Sequence, residues 1–104
     1  MKNEIIEKTA RSLKKTIYKE VRKYLKTKPN KSVDIDINIY PRQDDDKKSH
    51  VKTNVTKVYL DKDEIINTVS TDYFDDGEGV ETFEGSENIN RYNIKELLMI
   101  VEAI

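Results

Sequence analysis

The stretch that decides the fold is residues 33–40, Val33-Asp34-Ile35-Asp36-Ile37-Asn38-Ile39-Tyr40. Apolar and polar side chains alternate along it without interruption, so one face is apolar and the other is polar. A period of two is typical of a β-strand with one buried and one solvated face. Four β-branched side chains on one face need an apolar partner surface. The segments before and after this strand can supply that surface.

A long amphipathic helix is predicted before this strand, over residues 4 to about 26. Apolar residues recur there every three or four positions and form one stripe on a helix. The stripe consists of Ile6, Ala10, Leu13, Ile17, Val21 and Tyr24. The residue before a proline is biased away from helical geometry, so Pro29 predicts the end of the helix. Residues 29–32 are then predicted to form a turn.

Two further strands are predicted after residue 40, over residues 50–60 and 65–74. Pro41 ends the first strand, which indicates that this end of the strand is unpaired or lies at a sheet edge. In the second strand the apolar phase shifts near Thr56-Lys57. This shift indicates either a β-bulge or a strand end that is buried on both faces. The β-branched residues of the third segment favour a strand, but their pattern does not decide which of its faces is buried.

The connections and the end of the chain complete the predicted architecture. Residues 43–48 are predicted to form a solvated hairpin loop, Val80–Phe83 a short fourth strand, and residues 84–91 a polar loop. A final helix is predicted over residues 94–103. Asn93 and Glu96 match a capping box, and Tyr92 is placed to pack on Leu97 as a hydrophobic staple. The buried stripe of this helix is predicted to consist of Ile94, Leu97, Leu98 and Val101, with Ile104 as an optional last member.

The order of these elements predicts one α+β domain over residues 1–104. We expect two layers, with the N-terminal and C-terminal helices covering one face of a three- to four-stranded antiparallel meander. Hydrophobic residues make up 36% and charged residues 38% of the chain. The first figure is low and the second high for a globular protein. The apolar residues are nevertheless periodic, which favours a folded domain over a disordered chain.

Several classes of protein are excluded or disfavoured by composition. The chain contains no cysteine, so it has no disulfide framework, no thiolate nucleophile and no cysteine metal site. Its first residues carry acids and no apolar run, so we expect no secretory signal. No segment approaches the run of about 18 apolar residues typical of a membrane-spanning helix. We therefore expect a cytoplasmic protein. The frequent Lys, Asn and Ile and the lack of motifs are typical of a bacterial or phage accessory protein.

The most unusual global feature is the separation of charge along the chain. Residues 1–28 contain ten Lys or Arg and three Glu, which gives +7, whereas residues 61–90 contain Lys62 and ten acids, which gives −9. The whole chain nevertheless has a net charge of only −1. The N-terminal part of the chain is therefore basic, and the region that precedes the last helix is acidic.

The candidates for catalysis or metal binding are weak. Residues 72–79 combine carboxylates with glycines, as a calcium site does. With Gly77 at the sixth position of an EF-hand loop, however, Phe74 and Phe83 fall at ligand positions. His50 is the only histidine and has no visible partner. Asp34 and Asp36 share a strand face, as a glycosidase pair would require, but the sequence shows no cleft. We therefore predict neither an enzyme nor a cofactor.

The prediction that remains is a non-catalytic protein-interaction module, of the adaptor or inhibitor type, that binds a basic protein partner. Loops on a rigid sheet often carry binding residues, and aromatic anchors with a charged rim are common at interfaces. The predicted partner-binding residues are Asp72, Tyr73, Phe74, Asp75, Asp76, Glu78, Glu81 and Phe83. The alternative is nucleic-acid binding through the basic N-terminal helix, although Glu4, Glu7 and Glu20 interrupt its positive charge.

The alternation of residues 33–40 makes a direct prediction about stability. Replacing Ile37 by Asp places a carboxylate without a partner on the buried face, so we expect severe destabilisation or unfolding. Asn38→Asp is the matched control on the solvated face and should leave stability nearly unchanged. Chemical denaturation followed by circular dichroism measures both variants. Equal effects of the two substitutions would contradict the assignment of faces.

Overall fold

The computed structural model describes residues 2–41, 51–75 and 77–104, with side chains from residue 4 onward. The predicted loop at 43–48, His50 and Asp76 therefore lie outside the described residues. The elements in order are α1 (Lys2–Leu25), a 3-10 turn (Pro29–Lys31), β1 (Ser32–Ile39), β2 (Lys52–Leu60), β3 (Ile66–Asp75), β4 (Val80–Asn88), a second 3-10 turn (Ile89–Arg91) and α2 (Ile94–Ala103).

The four strands form one antiparallel sheet with the order β1-β2-β3-β4, which is a meander. α1 and α2 contact each other and the sheet, and both contribute side chains to one core. The predicted α+β architecture, with two helices layered on an antiparallel sheet, is confirmed. β1 is an edge strand, as the proline that follows it predicted.

The fourth strand is longer than its sequence suggested. We predicted a strand over Val80–Phe83 and a loop over residues 84–91, but β4 continues to Asn88 and pairs with β3 along its whole length. All nine residues of β4 are exposed. The strand has no buried face, so its sequence has no alternation of apolar and polar residues that would predict its full length. Backbone hydrogen bonds to β3 define this strand instead of an apolar face. The predicted loop is therefore wrong for its first five residues.

The faces of β1 are confirmed. Val33, Ile35 and Ile37 are half-buried and Ile39 is buried, whereas the alternating polar residues are exposed. On the polar face, the Asn54 amide donates to Asp36 Oδ1 at 2.9 Å and to Asn38 Oδ1 at 3.1 Å. The polar face of β1 is thus tied to β2 by side chains as well as by backbone bonds.

The irregularity near Thr56 is a β-bulge. The register between β2 and β3 shifts between Val55 and Lys57, and the register between β1 and β2 shifts opposite the same residue. Val55 and Val58 are consequently both fully buried, although they are three positions apart. Of the two explanations that the sequence left open, the bulge is therefore the correct one. A bulge increases the local twist of the sheet.

The core lies between the two helices and the first three strands. Its fully buried members include Leu25 of α1, Val55 and Val58 of β2, and Leu97 and Ile100 of α2. Burial of each large apolar side chain contributes about 1.5–3 kcal/mol relative to leaving it exposed. Only the C-terminal part of α1 takes part, through Ile17, Val21 and Leu25. The turns of α1 before Ile17 extend beyond the core and expose their apolar side chains.

The β2–β3 turn is closed by one carboxylate. Asp61 Oδ1 accepts hydrogen bonds from the backbone N–H groups of Asp63 and Ile65, and Oδ2 accepts from the Asn67 amide. The bond from Ile65 contributes most to lowering the pKa of Asp61 below its ordinary value. Lys26 and Glu64 form an ion pair of 3.0 Å that joins the end of α1 to this turn.

The start of α2 is fixed by the predicted capping box. Asn93 Oδ1 accepts from the Glu96 backbone N–H, and Glu96 Oε1 accepts from the Asn93 backbone N–H, each at 2.9 Å. Two of the N–H groups that a helix leaves unpaired at its start are thereby satisfied. Tyr92 and Leu97, the predicted staple residues, are both fully buried.

The cap makes the second prediction. Asn93→Ala removes the acceptor for the Glu96 N–H, so we expect a loss of about 1 kcal/mol in the free energy of unfolding. Asn93→Asp keeps an acceptor oxygen and should be close to the parent protein in stability. Urea denaturation measures the three proteins under one condition. An alanine variant as stable as the parent would show that the cap contributes nothing.

Candidate protein-interaction surface

The β3–β4 hairpin extends beyond the helix layer. β4 is the second edge of the sheet, and every one of its side chains is exposed. Its register with β3 pairs Phe83 with Asp72 and Glu81 with Phe74, so these four side chains share the face on which the helices pack. Neither helix covers Phe83, which is 58% exposed. The hairpin therefore presents a part of the helix-side face to solvent.

The inward face of β3 is polar where it meets the segment before α2. Thr68, Ser70 and Asp72 are buried there. The Thr68 hydroxyl is bonded to the hydroxyl of Tyr92 at 3.0 Å. Because buried polar groups are costly unless they are hydrogen-bonded, this face requires polar partners from the other layer. Arg91 and Tyr92 provide them.

Arg91 is the centre of this polar cluster. Its Nη2 lies 3.0 Å from Asp72 Oδ2, its Nη1 donates to Ser70 Oγ at 3.3 Å, and its Nε lies 3.1 Å from Glu87 Oε2. The other oxygen of Asp72 accepts from the Thr53 hydroxyl at 2.7 Å. The guanidinium thus links β3, β4 and the start of α2, while Asp72 extends the network to β2.

The cluster is largely withdrawn from solvent. The side chains of Arg91 and Asp72 are 13% and 11% exposed. Burial by itself lowers the pKa of Arg91, but Tyr92 and the Asp72 carboxylate raise it, and the net shift is upward. The guanidinium therefore stays charged and paired with Asp72. Such an arrangement holds structural elements together and leaves little of the Asp72 carboxylate available to a partner.

Beside the cluster lies an exposed aromatic pair with acidic neighbours. The rings of Phe74 and Phe83 meet edge to face, with centroids 5.3 Å apart and an interplanar angle of 83°. Glu81 shares the sheet face of this pair, and Asp75 and Glu78 are exposed at the adjoining turn, with Asp75 at the end of β3 on its other face. We call these five residues, Phe74, Asp75, Glu78, Glu81 and Phe83, the hairpin surface.

The eight predicted binding residues divide into three groups. The hairpin surface contains five of them. Asp72 lies beside it in the Arg91 cluster, and Tyr73 is on the opposite face of the sheet, where the Lys52 ammonium lies 4.7 Å from its ring centroid. Asp76 lies outside the described residues. The structure thus brings Phe74, Glu81 and Phe83 together on one face and places two acids at the adjoining turn, but it separates Tyr73 from the aromatic pair.

Arg91 is the structural residue that the sequence analysis missed. We placed it in a polar loop, whereas it follows β4 within a 3-10 turn. It is the only arginine in residues 61–104, a segment that contains twelve acids. A single arginine in an acidic segment would have indicated a buried ion pair if one of the acids had been predicted to be buried. The burial of Asp72 could not be predicted because the inward face of β3 was undecided.

The cavities of the described part are small or shallow. A pocket of about 90 Å³ lies between Phe83 and the Arg91 cluster. That volume is below the range of about 300–1,000 Å³ usual for small-molecule sites. An open apolar groove of about 310 Å³ lies between α1 and α2, lined by Val21, Tyr24, Val101 and Ile104 together with Glu20.

The described residues form no candidate metal site. Among residues 2–41, 51–75 and 77–104, no three or more His, Asp or Glu side chains are grouped closely enough to hold a metal ion. No described helix is both long and apolar enough to span a membrane. Comparison of the chain with protein-family models, with curated proteins and with solved structures found no match.

The Arg91 cluster makes the third prediction. Arg91→Met leaves the Asp72 carboxylate largely buried and without its cation, so we expect a loss of roughly 3 kcal/mol in the free energy of unfolding. Adding Asp72→Asn to this variant removes the uncompensated charge and should restore part of the loss. Guanidinium denaturation compares the single and double variants. A single variant as stable as the parent, or a double variant less stable than the single, would contradict a structural ion pair.

Proposed function

We propose that the protein is a non-catalytic interaction module that binds a basic protein partner through the hairpin surface. The observation that carries this proposal is an aromatic pair, exposed at Phe83, that lies among acids on a β-hairpin. Phe83 is 58% exposed and contacts Phe74, which is half-buried and is therefore held in place. Aromatic residues are enriched among the residues that dominate binding energy, and surrounding polar groups exclude water from them.

The charge of the hairpin supports a basic partner. Residues 74–88 contain six acids, Asp75, Asp76, Glu78, Glu81, Glu84 and Glu87, and no Lys or Arg. Glu87 is paired with Arg91. A concentrated negative field raises the rate of encounter with a positive surface and disfavours nucleic acid on this side. Imitation of a phosphate backbone is one way in which such a surface would inhibit a nucleic-acid-binding protein.

The cluster next to the surface favours a preorganised site. The Arg91 cluster lies beside Phe83 on the same face of the sheet, since Asp72 is its cross-strand neighbour. Rigid anchors lose little conformational entropy on binding, which improves affinity without further contacts. We also propose a cytoplasmic location, which fits a chain without cysteine.

The second candidate function is nucleic-acid binding through α1. The observation in its favour is that Lys8, Arg11 and Lys15 lie along one exposed side of the helix. A duplex-binding assay with increasing salt tests it, since phosphate contacts by lysine and arginine weaken steeply with salt. A salt-dependent shift that disappears when these three residues are replaced by Gln would support this candidate.

The proposed function makes the fourth prediction. The chain is immobilised and exposed to a lysate of the organism that encodes it, in three forms. The first is the parent, and the second carries Asp75→Asn, Glu78→Gln and Glu81→Gln. The third carries Lys15→Gln, Lys19→Gln and Lys23→Gln, which alters the same number of charges elsewhere. We expect a basic protein to be retained by the parent and the third form at moderate salt, and lost by the second.

The control for this experiment is the fold of the hairpin variant. Asp75→Asn keeps an acceptor for the Gly77 N–H, which now donates to Asp75 Oδ1 at 2.9 Å, so the turn should persist. Circular dichroism checks this. A folded hairpin variant that retains the same proteins as the parent would reject the proposed binding surface. Loss of binding by the lysine variant alone would move the interface to α1.

A further inference from the structure

β4 offers a long and regular edge for backbone pairing. It is the last strand of the sheet, and within residues 2–41, 51–75 and 77–104 no further strand pairs with its outer edge. Its nine residues pair with β3 without a register shift and include no proline. Edge strands are commonly protected by prolines, bulges or charges, because an unprotected edge accepts another strand. β4 has neither a proline nor a bulge, and all its charges are negative.

Gly85, in the middle of β4, is not required by the fold of the described residues. Its φ does not lie in the left-handed region, and a Cβ added to it would have no heavy atom within 4 Å apart from its chain neighbours. Glycine weakens the interior of a strand, and it often marks a place where a ligand or another backbone approaches closely. The chain itself supplies no such neighbour at Gly85.

The missing side chain leaves a notch beside the ring of Phe83. Gly85 lies between Phe83 and Glu87 on the helix-side face, and its cross-strand neighbour is Ser70. Because Arg91 Nη1 donates to Ser70 Oγ at 3.3 Å, the guanidinium forms part of the wall. The notch is the pocket of about 90 Å³ described above. The β4 residues around it are exposed, so one side chain of an added strand can enter it.

The charges of the two sheet edges distinguish a second copy from a foreign strand. β4 contains three glutamates and no base, and β1, the other edge strand, contains two aspartates and no base. Pairing any of these edges between two copies would bring acids together, which is destabilising. In the notch, the carboxylates of Asp72 and Glu87 also outnumber the one guanidinium of Arg91. The edge therefore selects against its own kind and in favour of a basic strand.

We propose that an extended, basic segment of the partner adds to the outer edge of β4 as a fifth strand, with a lysine or arginine opposite Gly85. This inference rests on the proposed function of the hairpin surface and names the mode of binding. In strand addition, backbone hydrogen bonds supply affinity and side-chain pockets supply specificity. The apolar stem of the basic side chain lies in the notch against Phe83, and its cation faces Glu87, whose side chain is 55% exposed.

A synthetic peptide tests this mode of binding on the full chain. The probe alternates lysine and valine over nine residues, the length of β4. The control peptide has the same sequence with every backbone nitrogen methylated, so it keeps the lysines and loses the backbone donors. In titration calorimetry we expect the probe to bind at least roughly ten-fold more tightly than the control. Hydrogen exchange of the β4 amides, but not of the α1 amides, should slow in the complex with the probe.

Two substitutions in β4 test the notch. Gly85→Val fills it with a side chain that suits a strand and whose Cβ meets open space, so this variant should be at least as stable as the parent in urea. Its affinity for the probe should fall roughly ten-fold or more, because the lysine loses its place. Thr82→Val is the matched control on the opposite face of the same strand, and it should leave the affinity unchanged.

The possible results separate this inference from the proposed function. Equal affinity for the two peptides, no binding of either, or a Gly85→Val variant that binds the probe like the parent overturns strand addition. In each of these cases the capture experiment still decides the proposed function, because it depends on the acids of the hairpin surface and not on the peptides. A probe that binds as expected while the capture experiment fails supports β4 as a strand-binding edge and rejects only those acids as the recognition surface.

Discussion

The bulge at Thr56 is the constraint on which the rest of the sheet depends. β2 is flanked on both sides by other strands, and it places Thr53, Val55, Val58 and Leu60 in the core. A strand without a bulge cannot direct both Val55 and Val58 inward, because they differ by an odd number of positions. The extra residue corrects the phase, so both halves of β2 bury their apolar side chains against the same helix layer.

The two strands next to β2 pair with the bulged segment differently: β1 uses more residues than β2 along it, and β3 uses fewer. The inward residues paired with Val58 and Val55 are Val33 and Ile37 on β1, four positions apart, and Thr68 and Ser70 on β3, two positions apart. The spacing between the two paired inward residues is thus four positions on β1, three on β2 and two on β3. A sheet with this gradient is bent at the bulge, in keeping with the stronger local twist that bulges produce. The helices pack on the face that contains the core side chains, and β4 remains outside their cover.

The sequence predicted those elements that are defined by an apolar pattern. β1, the presence of both helices, the capping box at Asn93 and the phase change at Thr56 each depend on such a pattern or on a local motif, and the structure confirms them. The predicted buried stripe of α2 is wrong at Leu98 and Val101, which are 50% and 39% exposed, whereas Leu97 and Ile100 are buried. The inward face of β3 could not be predicted, because the buried residues that follow Ile66 are polar: Thr68, Ser70 and Asp72. Those side chains are buried only because Arg91 and Tyr92 supply distant partners. The sequence of β4 has no apolar alternation, since the strand is defined only by its backbone pairing with β3. Of the candidate site, the turn and its aromatic residues were predicted from the sequence. The separation of Tyr73 from them and the position of Arg91 next to Phe83 could not be predicted, because both depend on the pairing register of β3 and β4.

The position of the acids bears on why they are present. A simple explanation is that they balance the basic helix and keep the chain in solution. The Lys26–Glu64 pair fits this explanation, because it joins the end of α1 to the β2–β3 turn. Asp75, Glu78 and Glu81 lie at the other end of β3, near the β3–β4 turn. Solubility alone would be served by acids without exposed rings, yet Phe83 is exposed among them. The combination of rings, acids and a largely buried ion pair beside them therefore supports our proposal of a binding surface over charge balance within the chain.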